Sequence, residues 1–258
     1  MLSIAPRTFL AAPFAWAIAL MLGGALVTPS AHATGSDATQ ATRDIVAAGR
    51  LADLRWPDFP DYKNDVQSFD DSTGYQLAWS QGGQPTTQAR ALIQILQQAE
   101  SRGLNGEDYD ASRWEQRIGQ LNSTDAAAHF DVALTVSVMR YLSDLEVGKV
   151  NPQQLKFSIA QKNSRYDLAQ FVRQDLVGGQ DIPSVLAPVE PQYPRYHQTL
   201  EVLKHYMDLA HQDPGPLPVP AKSVDPGGHY PGVAALAHKL ELLGDLPAGA
   251  GVPAGDDY

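Results

Sequence analysis

Three histidines in the last third of the chain are the first candidates for metal chemistry. His197, His205 and His211 lie on or near one predicted helix, at spacings of eight and six residues. A zinc-protease helix instead places two histidines four residues apart, with a glutamate as general base. The spacing therefore favours surface histidines, and we predict no metal site.

Carboxylates are the second possibility, because an acid of raised pKa and an ionised partner can together hydrolyse a glycosidic bond. The candidates are Asp70-Asp71, Glu107-Asp108 and Asp110. All of them lie in turn-like or helix-start contexts, where acids cap helices and complement the helix dipole. Capping is the favoured interpretation, and hydrolysis is the weaker alternative.

Nucleophiles and phosphate loops give no candidate. The chain has no cysteine, so it lacks a thiol nucleophile and a cysteine-based metal site. No serine lies in a G-x-S-x-G or S-x-x-K context. Gly82-Gly83 and Gly178-Gly179 lack the lysine and hydroxyl residue of a P-loop. We therefore assign no catalytic, cofactor-binding or metal residue, and we expect no cofactor.

Two arginines could hold a carboxylate or form a buried ion pair. Arg90 and Arg140 lie on predicted helices, on or beside the apolar faces, and Tyr141 directly follows Arg140. An arginine at a helix edge more often extends its charged end into water, and that interpretation is preferred here.

Charge and the first residues indicate where the protein acts. The chain holds 19 basic and 29 acidic residues, which argues against a nucleic-acid partner. Residues 1–33 contain Arg7, an apolar run over 9–27 and a small-residue A-x-A motif, the layout of a secretory signal peptide. We expect export to the periplasm or cell envelope, with an uncleaved membrane anchor as the alternative.

Apolar periodicity predicts an all-α fold. A short strand or extended segment is expected over 66–79, with a turn at 71–74, and another turn follows at 80–84. Thr86 or Thr87 is the expected N-cap of the first helix of the domain, and Thr124 or Asp125 that of the third. The predicted helices run from 85–88 to 103, from 110–112 to 121, and over 126–145, 166–177, 182–187, 193–211 and 229–246.

Composition divides the chain into five parts. A signal peptide (1–33) and a flexible lead (34–59) precede a helical domain (60–211). A linker with five prolines and three glycines (212–228) then leads to a last amphipathic helix within 229–258. The stripe of this helix is Val233, Leu236, Leu240 and Leu243. Because no partner follows that stripe, we expect 229–258 to be disordered or loosely docked and the chain to be a truncated product.

Several segments, in this order, resemble the large periplasmic L,D-transpeptidases. The most specific is R-Y-x-x-D-L-x-x-G-x-x-x-P at Arg140–Pro152. The other similar segments are 75–79, 85–109, 193–210 and 232–246. In that family a helical scaffold, a small peptidoglycan-binding module and a catalytic domain follow one another. The resemblance covers about residues 60–246 and implies a scaffold domain followed by the first helix of an incomplete binding module.

The resemblance does not extend to the chemistry of the family. Its catalytic residue is a cysteine in a Ser-His-Gly-Cys motif, and this chain has neither. The resemblance thus implies the N-terminal scaffold region of a murein L,D-transpeptidase, involved in peptidoglycan cross-linking but inactive alone. The alternative is a stand-alone exported helical module that binds peptidoglycan or an envelope protein. A membrane is a partner only if the signal segment is retained.

Overall fold

The described part of the chain is mostly helical, which confirms the predicted all-α class. A computed structural model describes residues 31–149, 166–213 and 215–247, with side chains from residue 37 onward. Nine α-helices in this part are joined by 3-10 turns, one π-helical segment and one hairpin. The elements are α1 (Ala31–Ala48), α2 (Lys63–Thr73), β1 (Ser80–Gln81), β2 (Gln84–Pro85), α3 (Thr87–Gln97), α4 (Trp114–Gly119), α5 (Thr124–Glu146), α6 (Leu168–Phe171), α7 (Ile182–Leu186), α8 (Pro194–Gln212) and α9 (Val233–Leu243).

Some predictions fall outside the described residues. The predicted signal peptide lies outside them except for its last three residues, and so do Pro152 of the family-like motif and residues 248–258. Within the described segments, no helix combines the length and apolar character needed to cross a bilayer.

Helix α5 is the centre of the core. Every residue from Phe130 to Leu142 is buried, so the helix is surrounded by other elements on all sides, as a helix with an apolar surface all round must be. Its cap is Ser123, whose hydroxyl oxygen accepts a hydrogen bond from the Ala126 N–H at 3.2 Å. The cap was expected one or two residues later, at Thr124 or Asp125.

The segment predicted as a flexible lead, residues 34–59, instead contains most of α1 and a loop that packs on the core. Ala38, Thr42 and Val46 recur every four residues and are buried. Their narrow stripe packs like that of any amphipathic helix. Alanine and threonine add little to a hydropathy pattern, which is why the sequence did not reveal this helix. Three apolar side chains of the following loop join the core: Leu51, Leu54 and Phe59.

Helix α2 replaces part of the extended segment that was predicted over 66–79. Val66 and Phe69 are buried three residues apart, which is helical spacing. Gly74 ends the helix with φ of 66°, and its N–H reaches the carbonyl oxygens of Asp70 and Asp71. The predicted turn is therefore the carboxyl-terminal cap of a helix.

A hairpin lies at the turn predicted over 80–84. Strands β1 and β2 pair antiparallel, and both Gly82 and Gly83 have positive φ, as a two-residue type I′ turn requires. The residue before β1 anchors the hairpin to α5. The indole N–H of Trp79 donates to Thr135 Oγ1 at 2.9 Å, and its backbone N–H donates to Asp131 Oδ1 at 2.8 Å.

Helix α3 begins as predicted, while the helix expected over 110–121 is shorter. The Thr86 hydroxyl accepts a hydrogen bond from the Ala89 N–H at 3.1 Å. Asp110 has φ of 60°, a left-handed conformation that interrupts a right-handed helix. One 3-10 turn lies on each side of Asp110, Gly106–Tyr109 before it and Ala111–Arg113 after it. Within residues 110–121, only α4 is α-helical.

The helix predicted over 166–177 is divided into α6 and a π-helical segment, Val172–Val177. A π segment inside a helix shifts the side chains that follow it around the axis. Val172 and Leu176 are both buried in this segment. Periodicity at 3.6 residues per turn cannot distinguish the two kinds of helix over so short a stretch.

Helices α8 and α9 lie at the edge of the molecule. None of the residues of α8 is buried. The apolar residues of the sequence recur at helical spacing through Tyr206, which predicts a core side, yet Tyr206 is 58% exposed. Tyr206 is exposed because α8 packs mainly on the short turn Ala99–Arg102 and on α9, not on the core. In α9, Val233 is buried while Leu243 of the same predicted stripe is exposed. Residues 233–243 are thus helical and partly packed.

Candidate functional site

A loop between α1 and α2 presents the only exposed tryptophan among the described residues. Trp56 is 53% exposed, whereas Trp79 and Trp114 are fully buried. We name residues 50–58 the Trp56 loop. Large aromatic side chains are expensive to leave in water, so an exposed indole on a well-anchored loop is a candidate recognition group.

The two ends of the Trp56 loop are joined to each other. Arg50 and Asp58 form an isolated antiparallel bridge. Nη1 of Arg50 donates to the two carboxylate oxygens of Asp58 at 2.7 and 2.8 Å. Inside this closure the Leu51 N–H donates to the Pro57 carbonyl oxygen at 2.9 Å. The loop is therefore closed by contacts among its own residues.

Arg140 on α5 binds the backbone of the loop beside the indole. Its Nη2 donates to the carbonyl oxygens of Trp56 at 2.9 Å and Asp58 at 3.1 Å. Burial lowers the pKa of Arg140, but an arginine remains charged at any pH where proteins fold. Hydrogen bonds from a charged donor are stronger than neutral ones, so Arg140 fixes the backbone around Pro57.

A buried ion pair holds the other half of the loop. Arg117 Nη2 lies 2.9 Å from Asp110 Oδ2 and also donates to the Asp53 carbonyl oxygen at 2.8 Å. The same oxygen accepts from Arg113 Nη1 at 2.6 Å. Asp110 Oδ1 accepts the Arg55 backbone N–H at 2.7 Å. The left-handed conformation of Asp110 thus places a carboxylate under the loop.

Asp108 orients the indole ring itself. The indole N–H of Trp56 donates to Asp108 Oδ1 at 3.2 Å, and Lys149 pairs with the second carboxylate oxygen. Arg55 lies near both, with its guanidinium carbon 5.6 Å from the indole centroid. Burial raises the pKa of Asp108, but hydrogen bonds from Lys149 and Trp56 outweigh it and hold the pKa below its usual value. Asp108 is therefore ionised at neutral pH.

Two further residues of the family-like motif support this cluster. Asp144 Oδ2 accepts the Tyr109 hydroxyl at 2.8 Å. The Tyr141 ring meets the Tyr109 ring edge to face, with centroids 5.3 Å apart. Burial raises the pKa of Asp144, and the hydrogen bond from Tyr109 only partly offsets this. Tyr109 directly follows Asp108, so these contacts set where the carboxylate beneath the indole lies.

A separate concave surface has Tyr141 in its lining. It is a cleft of about 180 Å³, with an ion pair between Arg102 Nε and Glu190 Oε1 at 2.8 Å on its wall. Its apolar lining includes Ile95 and Leu186. The ion pair connects the turn after α3 with the segment before α8, so a structural role alone explains why these two charges lie there.

The candidates from the sequence are distributed over several places. Asp108, Asp110 and Arg140 come together around the Trp56 loop, as described above. The three histidines lie on exposed α8, and the described residues contain no group of three or more His, Asp or Glu able to hold a metal ion. Arg90 donates to Gln84 Oε1 at 3.1 Å on the surface.

Glu107 acts as a capping group, as its position suggested. Its carboxylate accepts hydrogen bonds from the backbone N–H of Ser112 at 3.1 Å and from the hydroxyl of the same residue at 2.8 Å. Asp71 is exposed and accepts the Tyr75 hydroxyl at 2.6 Å. Both acids serve local structure, in agreement with the interpretation preferred from the sequence.

Asp70 and Asp131 form a separate buried acidic pair. Asp70 is 2% exposed, and its Oδ2 has no hydrogen-bond partner in the described part of the chain. Burial and the nearby Asp131 raise the pKa of Asp70 to about 8. Asp131 accepts two backbone N–H groups, from Ala78 and Trp79. Burial raises the pKa of Asp131 as well, to about 7, and these two hydrogen bonds only partly offset the effect of burial. Asp70 therefore holds its proton more tightly than Asp131 does.

Sequence reasoning missed the residues that matter most here. Trp56, Arg117 and Lys149 carry no motif. The available signal was the short aromatic and proline-rich segment between oppositely charged Arg50 and Asp58. It indicated packing but not exposure of the indole.

The fold and the site define a helical module that holds an exposed tryptophan loop on a frame of charged hydrogen bonds. A family model described as the Scaffold domain matches residues 64–203. The match covers more than half of the chain, so this chain belongs to the Scaffold domain family. The matched range includes Arg140, Asp108 and Asp110, while the Trp56 loop precedes it. No curated protein and no solved structure matches the chain.

Proposed function

We propose that this chain is the scaffold portion of an exported murein L,D-transpeptidase and that it takes part in peptidoglycan cross-linking without catalysing it. The observation that carries the proposal is the Scaffold-domain match over residues 64–203. The resemblance over residues 60–246 adds the class of enzyme and the periplasm or envelope as its location.

The composition of the chain supports a non-catalytic role. Transfer of a peptide through a thioester requires a thiolate beside a base, and these 258 residues include no cysteine. Three of the acids considered for hydrolysis, Glu107, Asp108 and Asp110, are engaged in capping and ion pairs. The role that fits them is positioning a partner or the wall polymer.

The architecture also supports a scaffold. Helix α5 is buried along most of its length, and Arg140 and Asp144 of this helix connect the core to the Trp56 loop and to Tyr109. A surface held by charged hydrogen bonds loses little freedom when it binds. A rigid frame of this kind suits a domain that presents substrate to a catalytic domain.

The proposal is tested by supplying the chemistry in trans. The full chain is mixed with the separately produced catalytic region of a large L,D-transpeptidase and purified peptidoglycan, and cross-linked muropeptides are quantified by mass spectrometry. We expect the chain to raise the yield and to give none alone. An unchanged yield at every ratio would overturn the proposal.

A second candidate function is a stand-alone exported module that binds peptidoglycan or an envelope protein. The observation in its favour is that the Trp56 loop and all its anchors lie within residues 50–149. Binding to the wall with no effect on the catalytic region in trans would select this alternative over the first.

A further inference from the structure

We propose that the Trp56 loop is a sugar-binding site, at which an uncharged pyranose ring of the wall glycan stacks on the indole of Trp56. The class of ligand follows from the site, and its source in the cell wall rests on the function proposed above. Three features of the described residues carry the inference: the exposed indole, its rigid mounting and the balance of charge around it.

The exposed indole supplies the stacking surface. One face of a pyranose consists of C–H groups with slight positive charge, and the face of an indole is negative. Contact between them removes apolar area from water on both partners. Trp56 is the only tryptophan of the described residues with exposed area to offer, at 53%.

The mounting of the indole lowers the cost of binding. The ring of Trp56 is not part of the buried core. Even so, the indole N–H is fixed by Asp108, and the backbone carbonyl oxygen of Trp56 is fixed by Arg140. The neighbouring Arg55 N–H is held by Asp110. A group ordered during folding need not be ordered again on binding. This is the arrangement expected of a binding residue and not of a stray surface aromatic.

The charges around the indole select a neutral ligand. The loop has two arginines and two aspartates, and the pairs Asp108–Lys149 and Asp110–Arg117 each add one charge of each sign. The guanidinium groups of Arg113 and Arg140 are engaged with backbone carbonyl oxygens of the loop. A charged ligand would therefore have to compete with a partner that is already in place. Sugar hydroxyls both donate and accept hydrogen bonds, so they can use Asp108, Lys149 and Arg55 together.

This balance distinguishes a sugar from the other components of the wall and from nucleic acid. A stem peptide has charged ends, and a nucleic acid has a phosphate at every residue. The net charge of −10 on the whole chain disfavours polyanions further. An N-acetylhexosamine ring, whose amide is uncharged, fits the array without an unpaired charge.

The inference is tested with an uncharged tetramer of N-acetylglucosamine, which carries the sugar chemistry without peptide. The chain has four tryptophans, so the part of the change in intrinsic fluorescence that is lost in Trp56→Phe reports on Trp56. Isothermal titration then gives the affinity for the tetramer, for peptide-free glycan strands from peptidoglycan and for the free stem peptide. The two sugar arms distinguish a general hexosamine site from one that requires the wall strand.

Variants assign the binding to the indole. Trp56→Ala weakens sugar binding about tenfold or more, and Trp56→Phe retains part of the affinity because it keeps a ring. Tyr206→Ala removes an equally exposed aromatic from α8 and leaves the affinity unchanged. Circular dichroism shows whether each variant is folded, and Trp56→Phe keeps the test decisive if the alanine variant is not.

Each result decides the inference. Binding of either sugar probe with the expected order of variants supports it. Binding of the stem peptide alone, or equal affinities for the wild type and Trp56→Ala, would overturn it. The proposed scaffold function would survive such a result, because stimulation of cross-linking in trans is measured separately.

Discussion

Replacing Asp70 with asparagine isolates the effect of one buried carboxyl group at the end of α2. Asp70 lies in the last turn of that helix, where the helix dipole also disfavours a negative charge. Burial, the nearby Asp131 and Asp71 raise its pKa from 3.8 to about 8. Asparagine has nearly the same shape and stays neutral at every pH.

The sign of the pH dependence follows from proton counting. Between pH values near the unfolded pKa of 3.8 and the folded pKa of about 8, the native state holds a proton that the unfolded state has lost. The free energy of unfolding therefore falls as pH rises through this window, by about 1.4 kcal/mol per pH unit for one proton. Above the folded pKa both states are ionised and the dependence ends.

Urea denaturation across this range measures the effect. The free energy of unfolding of Asp70→Asn, relative to the wild type, should increase by about 4 kcal/mol from about pH 5 to about pH 8. The variant should be more stable than the wild type at the alkaline end. Asp71→Asn, at the exposed neighbouring position, is the matched control. It removes only the smallest of the three causes of the raised pKa of Asp70, so its profile should keep most of the pH dependence of the wild type.

The same comparison can refute the reasoning. Parallel profiles for the wild type and Asp70→Asn would mean that Asp70 is ionised in the folded protein near neutral pH. A variant whose free energy of unfolding falls relative to that of the wild type as pH rises would mean that the Asp70 carboxylate has a favourable partner. Either result would contradict the conclusion that Asp70 is the protonated residue of the acidic pair.

Three further predictions concern the frame. Arg140→Ala should lower the free energy of unfolding by about 3 kcal/mol, because two loop carbonyl groups lose a charged donor. It should also raise amide exchange in residues 50–58, whereas Arg90→Ala should change neither quantity. Unchanged amide exchange in the loop would contradict this prediction. Trp79→Phe should lower the free energy of unfolding by about 1–3 kcal/mol through loss of its bond to α5, so an unchanged denaturation midpoint would count against that anchor. Leu134→Ala should lower the free energy of unfolding by about 2–5 kcal/mol, and Leu203→Ala on α8 should lower it clearly less. Equal losses in urea titrations would show that α8 belongs to the core.

Long helices with a strong apolar pattern could be predicted from the sequence. The stripe through Leu134 and Val138 placed α5 within two residues of its observed ends, and Thr86 was one of the two expected caps of α3. Both features depend on residues three or four positions apart. Such local signals survive in a single sequence because packing reinforces them.

Short or weakly apolar helices could not be predicted in the same way. Helix α1 is rich in alanine and threonine, and α2 buries only two apolar residues, Val66 and Phe69. Their stability comes from partners elsewhere in the chain, which no periodicity reports. Helix α8 gave the opposite error, since its apolar pattern predicted a core face that the structure leaves partly exposed.

The candidate site depends on contacts distant in sequence. Trp56 and Asp108 are 52 positions apart, and Arg140 is 84 positions from Trp56. The sequence singled out Arg140 and Asp108 separately, as a helix-edge arginine and a helix-start acid. Only the fold shows that both bind the same residue, Asp108 at the indole N–H of Trp56 and Arg140 at its backbone carbonyl oxygen.

Co-sedimentation of the full chain with purified peptidoglycan tests the central claim, binding without catalysis, most directly. The wild type and Trp56→Ala are compared, and the pelleted wall is digested and analysed for new cross-links. We predict that the wild type pellets with the wall, that the variant remains largely in the supernatant, and that no cross-link is added. A wild-type chain that stays in solution, or that adds cross-links by itself, would contradict the account.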